Sequence, residues 1–137
     1  MLNLVADVNI QGQFRIMESI MRSEQWSDFW VGLKCRTLTF KELQLQPKAK
    51  DNVVWSAIRK RDAILITANR NSEGPDSLGA MLSSPDARHA FPVLTISDPK
   101  QLRKSRIYMH DVVESLLEIL TDIENMRGTG RLYLPLR

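Results

Sequence analysis

The apolar positions of the chain fall into two alternating periods. Residues 2–6, Leu-Asn-Leu-Val-Ala, form a short apolar run ending at Asp7, which predicts a buried first strand. Ile10, Phe14, Met17 and Met21 then recur at i, i+4, i+7 and i+11, one face of a helix that should fade near Ser23. Trp26, Phe29 and Trp30 lie in a mixed segment and are expected to fill the core. From Val31 to Thr39, Leu33, Cys35 and Thr37 alternate with Lys34, Arg36 and Leu38, the period of a strand. Residues 40–43 suggest a single helical turn, and Pro47 keeps any helix there from continuing. A second helix is expected over about 50–61, with Val53, Val54, Ala57 and Ile58 as its buried stripe. Trp55 stands off that stripe and hints at a partner surface. Residues 63–67, Ala-Ile-Leu-Ile-Thr, are continuous and apolar, as in parallel strands buried on both faces.

Residues 68–77 are a polar loop rich in turn formers. A short helix is expected over 77–82 and a further strand over 92–96. The long last helix should begin near Ser105, with Val112, Val113, Leu116, Leu117, Leu120 and Ile123 on its apolar face and Gly128 as its C-cap. Residues 132–134 make a short final strand. Strands and helices thus alternate along the whole chain. That order predicts an α/β fold, a three-layer sandwich around a mostly parallel central sheet. The 137 residues suit a single domain, 1–137.

Composition narrows the chemistry. Cys35 is the only cysteine, which excludes an internal disulfide and a thiolate zinc site. His89 and His110 stand apart without ligand spacing and are expected as surface or capping residues. No apolar run approaches the roughly 20 residues that span a bilayer. The N-terminal segment carries Asp7 and no basic lead, so a cytoplasmic protein is expected. The net charge is +3, which permits nucleic-acid binding without requiring it. Basic residues cluster at 59–61 and at Lys100, Arg103, Lys104 and Arg106, either as solvated helix faces or as a phosphate-tracking patch.

In open α/β sheets ligands gather at the C-terminal ends of the strands. Asp7 ends the first strand, Thr67 ends the central one and Asn69 lies two residues beyond it. Glu42 comes after the second strand, and Asp51 opens the helix leading into the third. Oxygen donors converging on one edge are what hard cations such as Mg²⁺ and Mn²⁺ require. Each acid also has a local reading: Asp51 complements the positive end of its helix, and Glu42 sits in a surface turn.

Residues 5–9, Val-Ala-Asp-Val-Asn, resemble the opening strand of PIN-like proteins, closed by an aspartate and an asparagine. Residues 40–45 are similar to the segment that supplies that family's glutamate, and residues 51–57 to the helix start that supplies a second aspartate. Residues 64–71, Ile-Leu-Ile-Thr-Ala-Asn-Arg-Asn, resemble the strand that ends in threonine, any residue, aspartate. The strands at 93–96 and 132–134, with the long helix between them, match the compact bacterial branch. The resemblance implies metal-dependent cleavage of RNA with Mg²⁺ or Mn²⁺, and in many bacterial members a toxin paired with a small antitoxin. It also implies that Asp7, Glu42 and Asp51 are the metal-binding and catalytic carboxylates, with Asn69 at the fourth position. Here the sequence departs from the pattern, because Asn69 replaces an aspartate and supplies a carbonyl oxygen without charge. Asn9 and Asn71 add polarity only, and Val8 replaces a residue that is often polar. Two other readings stay open at this point. One is a PIN-like module that has lost catalysis and binds a partner. The other is an unrelated doubly wound domain, although a receiver would need an aspartate where the strand ends in Thr67.

Overall fold

A computed structural model describes residues 2–69 and 77–136. Five strands, β1 (Leu2–Ala6), β2 (Cys35–Leu38), β3 (Ile64–Thr67), β4 (Val93–Ile96) and β5 (Arg131–Leu134), form one sheet in the order β2-β1-β3-β4-β5. Every neighbouring pair is parallel. Among the described residues six α-helices surround it: α1 (Gln11–Met21), α2 (Ser27–Leu33), α3 (Asp51–Lys60), α4 (Leu78–Leu82), α5 (Pro99–Lys104) and α6 (Arg106–Thr121).

The two-residue period of the strands sorts their side chains into two cores. Leu4, Ala6, Ile64, Ile66, Leu94 and Ile96 face α1 and α6, where Phe14, Met17, Val112 and Leu116 meet them. Val5, Leu65 and Val93 point the other way, onto Val54, Trp55 and Ile58 of α3 and Leu78 at the start of α4. A sheet buried on both faces accounts for the unbroken apolar run of β3. The result is a three-layer α/β sandwich.

Several boundaries differ from the sequence expectation. Val31 and Leu33 belong to α2, and the strand starts only at Cys35, after Lys34 turns the chain in a left-handed conformation (φ 54°). Residues 40–44 form turns rather than a turn of helix, tied by the Leu45 amide to the Phe40 carbonyl. In α3, Trp55 is buried (8% exposed) and Val53 is 49% exposed. The buried stripe is therefore Val54, Trp55 and Ile58, and Trp55 belongs to the core rather than to a partner surface. Between β4 and α6 the chain forms α5, capped by Asp98, whose side chain accepts from the Gln101 amide, with Pro99 at the first helical position. Gly128 does not cap α6, which ends at Thr121. It lies beyond a short 3₁₀ turn with φ 84°, and its backbone is so close to Arg88 that a Cβ would meet the Arg88 carbonyl oxygen at 2.6 Å. His89 and His110 are exposed, as expected. No helix among the described residues is long and apolar enough to cross a membrane.

Candidate functional site

The strand order reverses direction between β1 and β3. From β1 the chain passes to β2 on one side, then returns past β1 to β3 and continues to β4 and β5. The helix after β1 packs on one face of the sheet and the helix before β3 on the other. A crevice therefore opens at the C-terminal ends of these two strands, where doubly wound sheets place their ligands.

Three of the four predicted side chains meet there. The Asp7 amide donates to the Ile66 carbonyl at 2.8 Å, which extends the β1–β3 pairing by one residue and fixes the acid at the strand end. The buried Thr67 hydroxyl donates to Asp7 Oδ2 at 2.7 Å and accepts from the Asn69 amide at 2.9 Å. Asn69 Nδ2 donates to Asp51 Oδ1 at 2.8 Å, and the Leu78 amide donates to Asp51 Oδ2 at 3.0 Å. One chain of hydrogen bonds thus links Asp7, Thr67, Asn69 and Asp51 across β1, β3 and α3. Asp7, Asp51 and Asn69 line a cavity of about 330 Å³, walled by Phe40, Val54, Leu65 and Leu78.

Glu42 is not brought into that cavity. Its Oε1 accepts from the amide and the hydroxyl of Thr39, both at 3.2 Å, while its own amide donates to the Thr39 hydroxyl at 3.2 Å. This reciprocal pairing closes the turn after β2. Glu42 instead lines a smaller cavity of about 90 Å³ with Arg15, Glu18 and Thr37. The expectation of four side chains facing one pocket holds for Asp7, Asp51 and Asn69 and not for Glu42. Asn71 and the rest of residues 70–76 lie outside the described residues.

Sequence reasoning missed Arg131. Its Nη1 donates to the Asn69 carbonyl at 2.6 Å and to the Thr95 hydroxyl at 2.7 Å, which ties β5 and β4 to the segment that carries Asn69. The one signal in the sequence was a lone arginine opening an otherwise apolar strand. A second missed feature is the groove of about 640 Å³ beside the acidic cavity. The two share Val8, Phe40 and Pro47, and the groove adds Arg15 and Lys41 with the amide side chains of Gln11, Gln44 and Gln46. Acid pocket and basic groove therefore form one cleft.

The donors in the acidic cavity are all oxygens, which fits a hard divalent cation in kind. Among the described residues Asp7 Oδ1 makes no hydrogen bond, whereas both oxygens of Asp51 already accept one. Two carboxylates and an amide offer less charge than three or four acids. Among the described residues no group of three histidines, cysteines, aspartates or glutamates is placed to hold a metal. Cys35 takes no part: burial pushes its thiol up to about 11, so it stays protonated. Comparison with protein-family models, with curated proteins and with solved structures finds no match.

Proposed function

We propose that this chain is a PIN-like domain acting as a metal-dependent ribonuclease. The observation that carries the reading is the cleft itself. Asp7, Asp51 and Asn69 converge at the reversal point of the sheet, directly beside a groove lined by Arg15 and Lys41. In this reading the two cations and the amide side chains hold the phosphate backbone of a single strand, a contact that does not depend on base sequence. The acidic cavity then receives one phosphate. Asp7, Asp51 and the Asn69 side-chain oxygen Oδ1 would hold Mg²⁺ or Mn²⁺, which when bound would polarise that phosphate and lower the pKa of a water. Thr67 keeps Asp7 oriented through its 2.7 Å bond, and Arg131 keeps the Asn69 backbone in place. Glu42, paired with Thr39, is not in the ligand set.

A second reading has its own observation. The Asn69 amide bridges to Asp51 at 2.8 Å, so a hydrogen bond takes the place that a cation would hold between two carboxylates. A pocket satisfied in this way suits a module that binds RNA without cutting it. Cleavage of a mixed single-stranded RNA pool, with Mn²⁺ and with chelator, separates the two. The nuclease reading expects Mn²⁺-dependent cleavage by the wild type, none by Asp7→Ala, and faster cleavage by Asn69→Asp. RNA binding with no cleavage by the wild type or by folded Asn69→Asp selects the binding module. Cleavage that survives Asp7→Ala refutes the site.

A further inference from the structure

Away from the cleft, the outer face of α6 carries one large apolar residue at its head. Ile107, in the first turn, is 79% exposed, the most exposed large apolar side chain among the described residues. Asp111, Glu114 and Glu118 follow it at i+4, i+7 and i+11 and are exposed too, so the four residues form one stripe down the helix. At about 1.5 Å per residue that stripe is about 16 Å long.

The stripe borders a hollow. Ile107 and Asp111 line a groove of about 670 Å³ together with Tyr133 of the edge strand β5 and Leu136 beyond it, which are 45% and 44% exposed. A second hollow, of about 320 Å³, shares Asp111, Pro135 and Leu136 and adds Glu114 and Glu118. Every charged residue that lines either hollow is an acid, Asp98 being the fourth, although the whole chain has a net charge of +3. None of the four forms an ion pair among the described residues.

These properties select the occupant. A wall of negative charge repels the phosphates of a nucleic acid or an anionic membrane and attracts cations. A bare cation would leave Ile107, Tyr133 and Leu136 in water, so the occupant must be apolar as well. Carboxylates three and four residues apart on one helix match Lys or Arg repeated at the same intervals on another. We propose that this groove docks a segment of another protein, an amphipathic helix with a basic face. Its cations meet Asp111, Glu114 and Glu118, and its large apolar residues cover Ile107, Tyr133 and Leu136. The apolar contact supplies most of the affinity, because exposed ion pairs contribute little each. The acids orient the segment and speed its arrival, an effect that salt weakens. A segment seated here touches none of the residues that line the cleft, so it tethers a partner and leaves the cleft open. The inference is independent of the ribonuclease reading for the same reason.

The probe is a synthetic, fluorescein-labelled amphipathic helix of lysine and leucine, with binding followed by anisotropy. The wild type should bind it saturably, and less tightly as salt rises. The same peptide with glutamate for lysine should not bind. Ile107→Ser, and a double variant carrying Asp111→Lys with Glu118→Lys, should each bind the lysine–leucine peptide about tenfold more weakly or worse. These positions are exposed, so circular dichroism and melting temperature should stay close to wild type. Amide resonances that move on adding peptide should centre on residues 107–118 and the end of β5. A wild type that does not bind, as when a second copy of the chain already fills the groove, overturns the proposal. So does binding that survives both variants, or resonance changes centred on Arg15 and Asn69 in the cleft. Equal binding of a peptide with glutamine for leucine also overturns it, since the acids would then merely attract cations.

Discussion

Asn69→Asp gives the acidic cleft a third carboxylate, and its effect can be worked out before any metal is added. In the wild type Asn69 Nδ2 donates to Asp51 Oδ1 at 2.8 Å. The substitution puts a carboxylate oxygen where that donor stands. Losing the donor to a charged acceptor costs about 1–3 kcal/mol. Two unit charges about 4 Å apart repel by about 4 kcal/mol at an effective dielectric of about 20, and by about 1 kcal/mol in water. The cavity is half-buried, so the combined penalty should be about 2–4 kcal/mol at neutral pH. For a domain of this size that lowers Tm on the order of 10 °C. The sign with pH comes from linkage. Two acids in contact raise the folded-state pKa of one of them, so the folded state holds the extra proton. The penalty is absent below the ordinary carboxylate range, grows as pH rises through it, and is complete above the raised pKa. A divalent cation should reverse it, by about 2.7 kcal/mol at a hundredfold excess over Kd. Thermal melts followed by circular dichroism, in chelator and then in Mn²⁺, at acid and neutral pH, read all three effects. A variant that melts with the wild type in chelator and does not respond to Mn²⁺ would refute the convergence of Asp51 and residue 69.

Trp55→Ala should cost about 3–5 kcal/mol in urea unfolding, as for a large buried side chain; a loss under about 1 kcal/mol would return Trp55 to the surface. Asp62 and Glu124 both bind the Arg127 guanidinium, whose hydrogen bonds hold their carboxyls below the usual range. With folded pKa values depressed, the stability they contribute is present above the ordinary carboxylate pKa and lost as pH falls through their lower folded values. Stability curves for wild type and Arg127→Met should therefore draw together at strongly acid pH, leaving the loss of the Arg127 Nη1 hydrogen bond to the His89 carbonyl at 2.7 Å and of the packing over the Phe91 ring at 3.7 Å. Glu42→Ala should leave Mn²⁺ affinity unchanged in calorimetry, because its carboxylate serves the Thr39 turn; a severalfold weaker site would place Glu42 among the ligands.

Much of this architecture is written in local patterns. The apolar runs at 2–6, 63–67 and 92–96 are strands because a sheet buried on both faces needs continuous apolar character. The i, i+4, i+7, i+11 set from Ile10 to Met21 is buried as its spacing requires. The errors share a cause, which is tertiary packing that overrides a short pattern. Leu33, Cys35 and Thr37 alternate, yet Leu33 ends a helix, because the left-handed turn at Lys34 starts the strand later. Trp55 is buried because α3 lies on a sheet face broad enough to take two adjacent residues, a width that one helical stripe does not announce. In the cleft, Asp7, Asp51 and Asn69 were legible from their places at strand and helix ends. Glu42 has an equivalent place in the sequence, but a tight turn swings its carboxylate back onto Thr39. Arg131 comes from 62 residues downstream of Asn69, and no local pattern encodes a contact of that range.

Mn²⁺ binding bears most directly on the claim that this cleft holds a divalent ion through Asp7, Asp51 and Asn69. Titration of the purified chain, followed by the loss of the free-ion electron paramagnetic resonance signal, counts the ions held. Weak, saturable binding is expected for the wild type, no binding for Asp7→Ala, and binding at least about tenfold tighter for Asn69→Asp, where a charge joins the ligand set. Folded wild-type and Asn69→Asp chains that both leave the signal unchanged, or an Asp7→Ala chain that binds as the wild type does, would contradict it.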